Sequence, residues 1–148
     1  MPLNKTKLNN DLMFGLSSEE WIKDKLEKKY GSLVKLDPFN NFDFYGGVNN
    51  IFIEVKTRKM NHDKYPTLMF SKKKLDKGYE HYLDNGCNIT FIWRCYDGVY
   101  AWDYITGETV ASNYEIKMSG RKDRGTHEIE ECVHIKTGDL YELEIGDQ

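Results

Sequence analysis

Two strand-like segments joined by a turn-rich sequence constrain the fold of this chain more than any other feature. The segments 42–45 and 51–56 alternate in side-chain character, and the sequence Gly-Gly-Val-Asn-Asn between them is typical of a hairpin. If Val48 and Asn49 form a two-residue tip, counting back along both strands places Asp43 directly opposite Glu54. The sequence therefore predicts two carboxylates that face each other across antiparallel strands.

The alternation also predicts which side chains share a face, because successive residues of a strand point to opposite faces. In the second strand, one face carries Ile51, Ile53 and Val55, and the other carries Phe52, Glu54 and Lys56. In the first strand, Phe42 and Phe44 are expected to face the core, which directs Asp43 away from it. Asp43, Glu54 and Lys56 are therefore predicted to lie on one surface.

Opposed carboxylates need a compensating cation, because directly opposed residues have Cβ atoms about 4.5–5.5 Å apart and like charges at that distance repel. A divalent ion with oxygen ligands meets this need, and Lys56 adds a positive charge on the same face. Carboxylates that hold Mg²⁺ allow it to lower the pKa of bound water and to stabilise charge on a phosphate under attack. A nearby ammonium orients the water or helps to deprotonate it. The pattern predicts phosphodiester hydrolysis.

The remainder of the chain contains signals for two helices and several further strands. Ser17 and Glu20 have capping-box spacing and precede apolar residues at helical spacing, which predicts a helix over 17–30. Ser71 as N-cap and Gly86 as stop predict a second helix over 71–83. Further strands are predicted over 32–36, 87–95, 99–104, 114–118, 127–135 and 141–145. Loops are expected over 57–70 and 119–126.

This order of elements predicts an α/β fold, with a mixed central β-sheet flanked by two helices and a C-terminal β extension. The length of 148 residues suits a single domain over residues 1–148. Within that domain we expect a polar N-terminal arm over 1–14, a core over 15–104 and a β-rich extension over 105–148.

Composition narrows the class of function. No apolar run reaches the ~20 residues of a membrane span and no secretory signal is visible, so we expect no membrane contact and a cytoplasmic location. The three cysteines lack a C-x-x-C pair, which favours buried thiols over disulfides or zinc ligands, and the four histidines lack a paired ligand spacing. Without a phosphate-binding glycine loop, no organic cofactor is expected.

Charge is divided unevenly along a chain whose net charge is −3. Residues 55–77 contain eight basic and two acidic side chains, whereas residues 128–147 contain seven acids and one lysine. Basic side chains beside the predicted site provide affinity for a phosphate backbone without reading its sequence. The candidates are Arg58, Lys59, Lys72, Lys73 and Lys74, with Arg121, Lys122 and Arg124 in a glycine-bounded loop. The alternative interpretation of these charges is a solvated helix face and a solvated loop.

These motifs together resemble the PD-(D/E)XK nuclease superfamily, which includes restriction endonucleases and Holliday-junction resolvases. The motif is Asp43 followed by Glu54-Val55-Lys56 across a hairpin and behind an acidic helix. The resemblance covers residues 15–104 and is strongest to small phage and viral nucleases. The shared features are a Tyr-Pro-Thr stretch at 65–67, a Ser-x-x-Lys helix start at 71–74 and, late in the chain, a Gly-Arg-x-x-Arg-Gly loop at 120–125. The usual proline before the aspartate is missing, since Phe42 takes its place.

The resemblance implies a restriction-endonuclease-like αβββαβ core and a Mg²⁺-dependent deoxyribonuclease, with Mn²⁺ able to substitute. By this resemblance, Asp43, Glu54 and the backbone carbonyl of Val55 bind the metal. Lys56 is the catalytic lysine. The implied partners are DNA, including branched or structured DNA, and a second copy of the chain, because cutting two strands needs two sites. For a viral protein the cytoplasm would be that of the host cell.

Such nucleases often add a glutamate from the first helix, and Glu19 and Glu20 compete for this role. Glu19 lies on the inward stripe of the helix, whereas Glu20 already has a local partner in Ser17, so we favour Glu19. The family also usually has a polar residue at the position of Lys74 that reaches the scissile phosphate.

A lone Glu-x-Lys is common by chance in charged proteins and usually marks a solvated strand face. The opposed Asp43, the acidic helix before it and the lysine-rich helix after it favour catalysis. Two alternatives remain open. One is a catalytically inactive DNA-binding module that keeps the nuclease fold, and the other is an interaction protein whose acidic tail meets a partner.

Overall fold

A computed structural model describes residues 18–121 and 128–144 of the chain. The predicted arm over 1–14 and the capping residue Ser17 lie outside the described residues. The same holds for Lys122 and Arg124.

Two α-helices form where the sequence predicts them, α1 over Ser18–Tyr30 and α2 over Lys72–Asn85. Ser71 caps α2, since its side-chain oxygen accepts a hydrogen bond from the Lys73 amide. Gly86 ends the helix in the left-handed conformation, with a φ of 66°, which a glycine adopts without strain.

Ten strands and one short 3₁₀ helix complete the described residues. The strands are β1 (Leu33–Lys35), β2 (Phe44–Gly46), β3 (Ile51–Thr57), β4 (Thr67–Ser71), β5 (Asn88–Cys95), β6 (Gly98–Thr106), β7 (Thr109–Val110), β8 (Glu115–Arg121), β9 (Glu128–Lys136) and β10 (Tyr141–Glu142). The 3₁₀ helix spans Thr137–Asp139.

The main sheet has the order β1-β2-β3-β5-β6-β10, with β7 paired to β6. Strands β3 and β5 run parallel, whereas the other neighbours run antiparallel. A parallel pair needs a crossover connection, and α2 lies within it. A mixed sheet with two helices confirms the predicted α/β class and is consistent with a restriction-endonuclease-like fold.

Strands β2 and β3 form the predicted hairpin. Phe44 pairs with Ile53, which is the register that the sequence predicts. A hydrogen bond from the Asn50 amide to the Gly47 carbonyl closes the turn, so the tip is centred on residues 48–49. The hairpin and its register are confirmed.

A second, three-stranded antiparallel sheet has the order β4-β9-β8. The prediction that 57–70 is entirely loop is therefore wrong at its end, where β4 forms. Leu68 and Phe70 of β4 are buried and lie opposite Ile135 and Val133 of β9, a partner strand far away in sequence. The predicted loop over 119–126 also starts too early, because β8 continues to Arg121.

The main sheet is covered on both faces. The cluster on the α1 side includes Ile22, Leu26, Phe44, Ile53 and Ile92. The cluster on the other side joins α2 and the second sheet to the main sheet, through Phe42, Leu75, Phe91, Trp93, Val133 and Ile135. The three cysteines, Cys87, Cys95 and Cys132, are buried, as predicted.

Phe42 and Phe44 are both buried, but in the clusters on opposite faces of the sheet. The prediction that they share one face is wrong. The amide of Phe42 donates to the side chain of Asn40 in a bend before β2, so regular alternation begins only at Phe44. Neither helix within the described residues has the length and apolar composition needed to cross a membrane.

Candidate active site

Asp43 lies immediately before β2 and is held against β3 by the backbone. Its amide donates to the Ile53 carbonyl at 3.0 Å, and its Oδ2 accepts a hydrogen bond from the Val55 amide at 2.8 Å. Its side chain keeps 32% of its surface exposed. Asp43 is therefore fixed by two hydrogen bonds beside Glu54, with its carboxylate at the surface.

Glu54 is buried in the middle of β3, with 4% of its surface exposed. Two ammonium groups lie at the same oxygen of its carboxylate, since Lys56 Nζ and Lys74 Nζ are each 3.3 Å from Oε2. Lys56 comes from the same strand, whereas Lys74 comes from the first turn of α2. Lys74 also donates to the carbonyl of Asn41, which ties the helix to the segment before Asp43.

Burial raises the pKa of Glu54 from its ordinary 4.5 to about 7, and the negative charge of Asp43 adds to the rise. The ammonium groups of Lys56 and Lys74 oppose the rise. These two cations do not offset burial and the neighbouring Asp43, so the ionised form of Glu54 remains unfavourable in the metal-free protein. This is the electrostatic setting in which a divalent cation binds favourably.

A third lysine, Lys35 of β1, stands at the exposed side of this pair. Its Nζ is 3.7 Å from Asp43 Oδ1 and 3.2 Å from Oε1 of Glu19, near the start of α1. Sequence reasoning missed Lys35, because only the pairing of β1 with β2 brings it beside Asp43. No local motif marks it.

A cavity of about 160 Å³ opens beside these groups. Its lining residues are Glu19, Ile22, Asp43, Phe44, Val55 and Thr57. Glu20 lines a neighbouring pocket instead, together with Glu19 and Lys35. Of the two candidate glutamates, Glu19 is therefore the one that shares a cavity with Asp43, although 70% of its side-chain surface is exposed.

The predicted DNA-contacting residues are placed as follows. Lys74 is directed into the site at Glu54, whereas Lys72 is paired with Asp76 at 2.9 Å and Lys73 is exposed. After β3, Lys59 is exposed, and the partly buried Arg58 donates to the Thr57 carbonyl. Arg121 is the last residue of β8, and Lys122 and Arg124 lie outside the described residues.

A separate group of possible ligands was not visible in the sequence. His62, Asp63 and Asp97 place ligand atoms within 4.8 Å of one another, although the histidines show no paired spacing. His62 Nδ1 lies 2.6 Å from Asp97 Oδ2, and its ring stacks on Tyr100 with centroids 3.9 Å apart. These contacts attach the loop after β3 to the β5–β6 turn.

An α/β core whose central hairpin brings Asp43 beside Glu54 and Lys56 is consistent with a restriction-endonuclease-like fold. A family model described as "Phage putative PDDEXK endonuclease" matches residues 13–143. The chain therefore belongs to this phage PDDEXK endonuclease family. The match extends well beyond 15–104 and includes the second sheet. Neither the curated proteins nor the solved structures contain a significant match.

Proposed function

We propose that this chain is a metal-dependent DNA endonuclease that hydrolyses phosphodiester bonds. One observation carries the proposal. Asp43, immediately before β2, lies beside Glu54 of β3, and two lysine ammonium groups, from Lys56 and Lys74, converge on one Glu54 oxygen. A surface without a catalytic role has no need for a buried carboxylate whose pKa is raised further by a second carboxylate beside it.

The residues fit a divalent metal with a preference for oxygen. Asp43, Glu54 and the carbonyl of Val55 would hold Mg²⁺, with Mn²⁺ as a substitute, and Glu19 is the favoured additional carboxylate. The raised pKa of Glu54 supports this assignment, because burial and the neighbouring Asp43 charge disfavour its ionised form and a bound cation would stabilise that form. When bound, the ion would supply Lewis-acid stabilisation of the phosphate charge and a lower pKa for water.

Lys56 is the residue we assign to the attacking water. Its side chain is 24% exposed, so its ammonium can reach the substrate side while it stays 3.3 Å from Glu54. An ammonium in this position donates a hydrogen bond that orients the water, and it offsets negative charge that develops on the phosphate. Lys74 is equally exposed and lies on the other side of Glu54 Oε2, where it can contact the scissile phosphate.

The substrate is DNA held mainly through its phosphates. The candidate contacts are Arg58, Lys59, Lys72 and Lys73, on the segments that follow β3 and begin α2, and Arg121 at the end of β8. Lys122 and Arg124, which lie outside the described residues, are further candidates. Such contacts give affinity without sequence readout, which favours branched or structured DNA as the target. We further propose a homodimer, with one site for each strand, acting in the host cytoplasm.

The test is cleavage of labelled linear, forked and four-way DNA with Mg²⁺ or Mn²⁺. Wild type is compared with Glu54→Gln, Lys56→Met and the exposed-site control Glu80→Gln, with EDTA in parallel. We expect metal-dependent cutting that both site variants abolish and Glu80→Gln retains. DNA binding that is equal in all four proteins, with no cutting, would refute the nuclease and favour a DNA-binding module.

A further inference from the structure

The ammonium group of Lys35 lies beside Glu19 and Asp43, two of the proposed metal ligands, and cannot itself bind a metal. Oδ2 of Asp43 is engaged by the Val55 amide, and the other oxygen, Oδ1, faces Lys35 Nζ at 3.7 Å. The same ammonium is 3.2 Å from Oε1 of Glu19. Lys35 therefore lies between two carboxylates that line one cavity.

We propose that Lys35 is a positioning residue that holds Glu19 and Asp43 in the metal-free protein and competes with the divalent cation for their oxygens. This inference rests on the proposed metal centre. A cation that binds Asp43 Oδ1 competes with the Lys35 ammonium, because both are attracted to the same oxygen and repel each other. The long side chain of Lys35 is 40% exposed and has room to turn toward solvent.

The ion pairs of Lys35 with Glu19 and Asp43 contribute little to the stability of the fold. Glu19 and Lys35 are exposed enough that such a pair contributes little to folding. The positive charge of Lys35 affects the binding of a divalent cation more than it affects folding. A unit positive charge at ~6 Å from a divalent cation in a water-like medium weakens the binding of that cation roughly tenfold. The expected consequence of removing the ammonium is therefore tighter cation binding with an unchanged fold.

The experiment measures the dissociation constant of Ca²⁺ by isothermal titration calorimetry at low ionic strength, without DNA. The proteins are wild type, Lys35→Met, Lys35→Gln, Lys35→Arg and Asp43→Asn. Lys117→Met is the matched control, because Lys117 is also a strand lysine, paired with Glu115 at 3.7 Å. Melting temperatures in EDTA are recorded for every variant to establish that each is folded.

We expect Lys35→Met and Lys35→Gln to bind Ca²⁺ about tenfold more tightly than wild type, by the charge argument above. Lys35→Arg and Lys117→Met should resemble wild type, since the first keeps the charge and the second lies elsewhere. Unchanged or weaker binding by both neutral variants, with binding lost in Asp43→Asn, would refute the role of Lys35 and leave the metal centre standing. Absence of Ca²⁺ binding in every protein would refute the metal centre itself.

Discussion

Replacing Glu54 by glutamine should stabilise the metal-free protein at alkaline pH, although it removes a central residue of the site. The substitution keeps the size of the side chain and removes a carboxylate that is 4% exposed and lies beside Asp43. In the folded protein the pKa of Glu54 is raised to about 7 from 4.5. The folded state therefore binds this proton more tightly than the unfolded state.

The direction of the pH effect follows from this difference. Below pH 4.5 the carboxyl is protonated in both states and has no effect on stability. Between 4.5 and about 7 the folded protein loses stability as the pH rises, and the full loss is present above 7. A tenfold change in proton affinity corresponds to about 1.4 kcal/mol, so the ionised Glu54 costs about 3 kcal/mol. Glutamine does not ionise and avoids this cost.

The measurement is thermal unfolding in EDTA from pH 4.5 to 8, with Glu80→Gln as an exposed control. At pH 8 Glu54→Gln should melt roughly 6–12 °C above wild type, since 1 kcal/mol corresponds to about 2–4 °C for a chain of this size. The gain should disappear toward pH 4.5. In a second series with Mg²⁺ in place of EDTA, the ion should stabilise wild type and Glu80→Gln but not Glu54→Gln. A variant that is less stable than wild type at pH 8, or a gain that does not change with pH, would refute the reasoning.

Two further substitutions test the packing and electrostatics around the site. Asp43→Asn should lower the pKa of Glu54, because the Asp43 charge helps to raise it. The pKa should nevertheless stay above 4.5, because burial of Glu54 remains. A carboxyl ¹³C NMR titration measures this pKa directly, and an unchanged value would contradict the argument. Gly78→Val should destabilise the protein by about 1–3 kcal/mol in urea unfolding, because a Cβ at this position would lie 3.0 Å from Ile89 Cγ2. The control is Gly47→Val, since a Cβ at Gly47 would meet no atom within 4 Å. Equal stability of the two variants would contradict the packing argument.

The central hairpin could be predicted because all its determinants are local. The turn at 47–50 sets the register, and the register alone brings Asp43 to Glu54. The second helix was predictable for the same reason, since Ser71 and Gly86 mark its ends within one short segment. Both features depend on residues that are close together in sequence.

Strands β8 and β9 of the second sheet were predicted over 114–118 and 127–135, whereas β4 was not, because its partner β9 is distant in sequence. Thr67–Ser71 directly follows Pro66, which favours a loop, and Ser71 is predicted as the cap of the second helix. Only pairing with Glu128–Lys136 makes Thr67–Ser71 a strand. The face on which Phe42 lies was predicted wrongly, because a bend before β2 interrupts the alternation. Lys35 was missed because the pairing of β1 with β2, which brings it to the site, has no signal in the sequence.

The balance of charges in the site predicts that binding of the metal and binding of DNA are coupled. Glu19, Asp43 and Glu54 are matched by an equal number of ammonium groups, from Lys35, Lys56 and Lys74, so the metal-free site is close to neutral when all are ionised. A divalent cation bound to Asp43 and Glu54 would leave this set of charges with an excess of positive charge. A DNA phosphate brings negative charge to the same place and removes the excess. Metal and DNA should therefore strengthen each other's binding, and by linkage the coupling must be equal in both directions. Lys35 adds to this coupling, because its ammonium, once displaced from Asp43, is free to meet the phosphate.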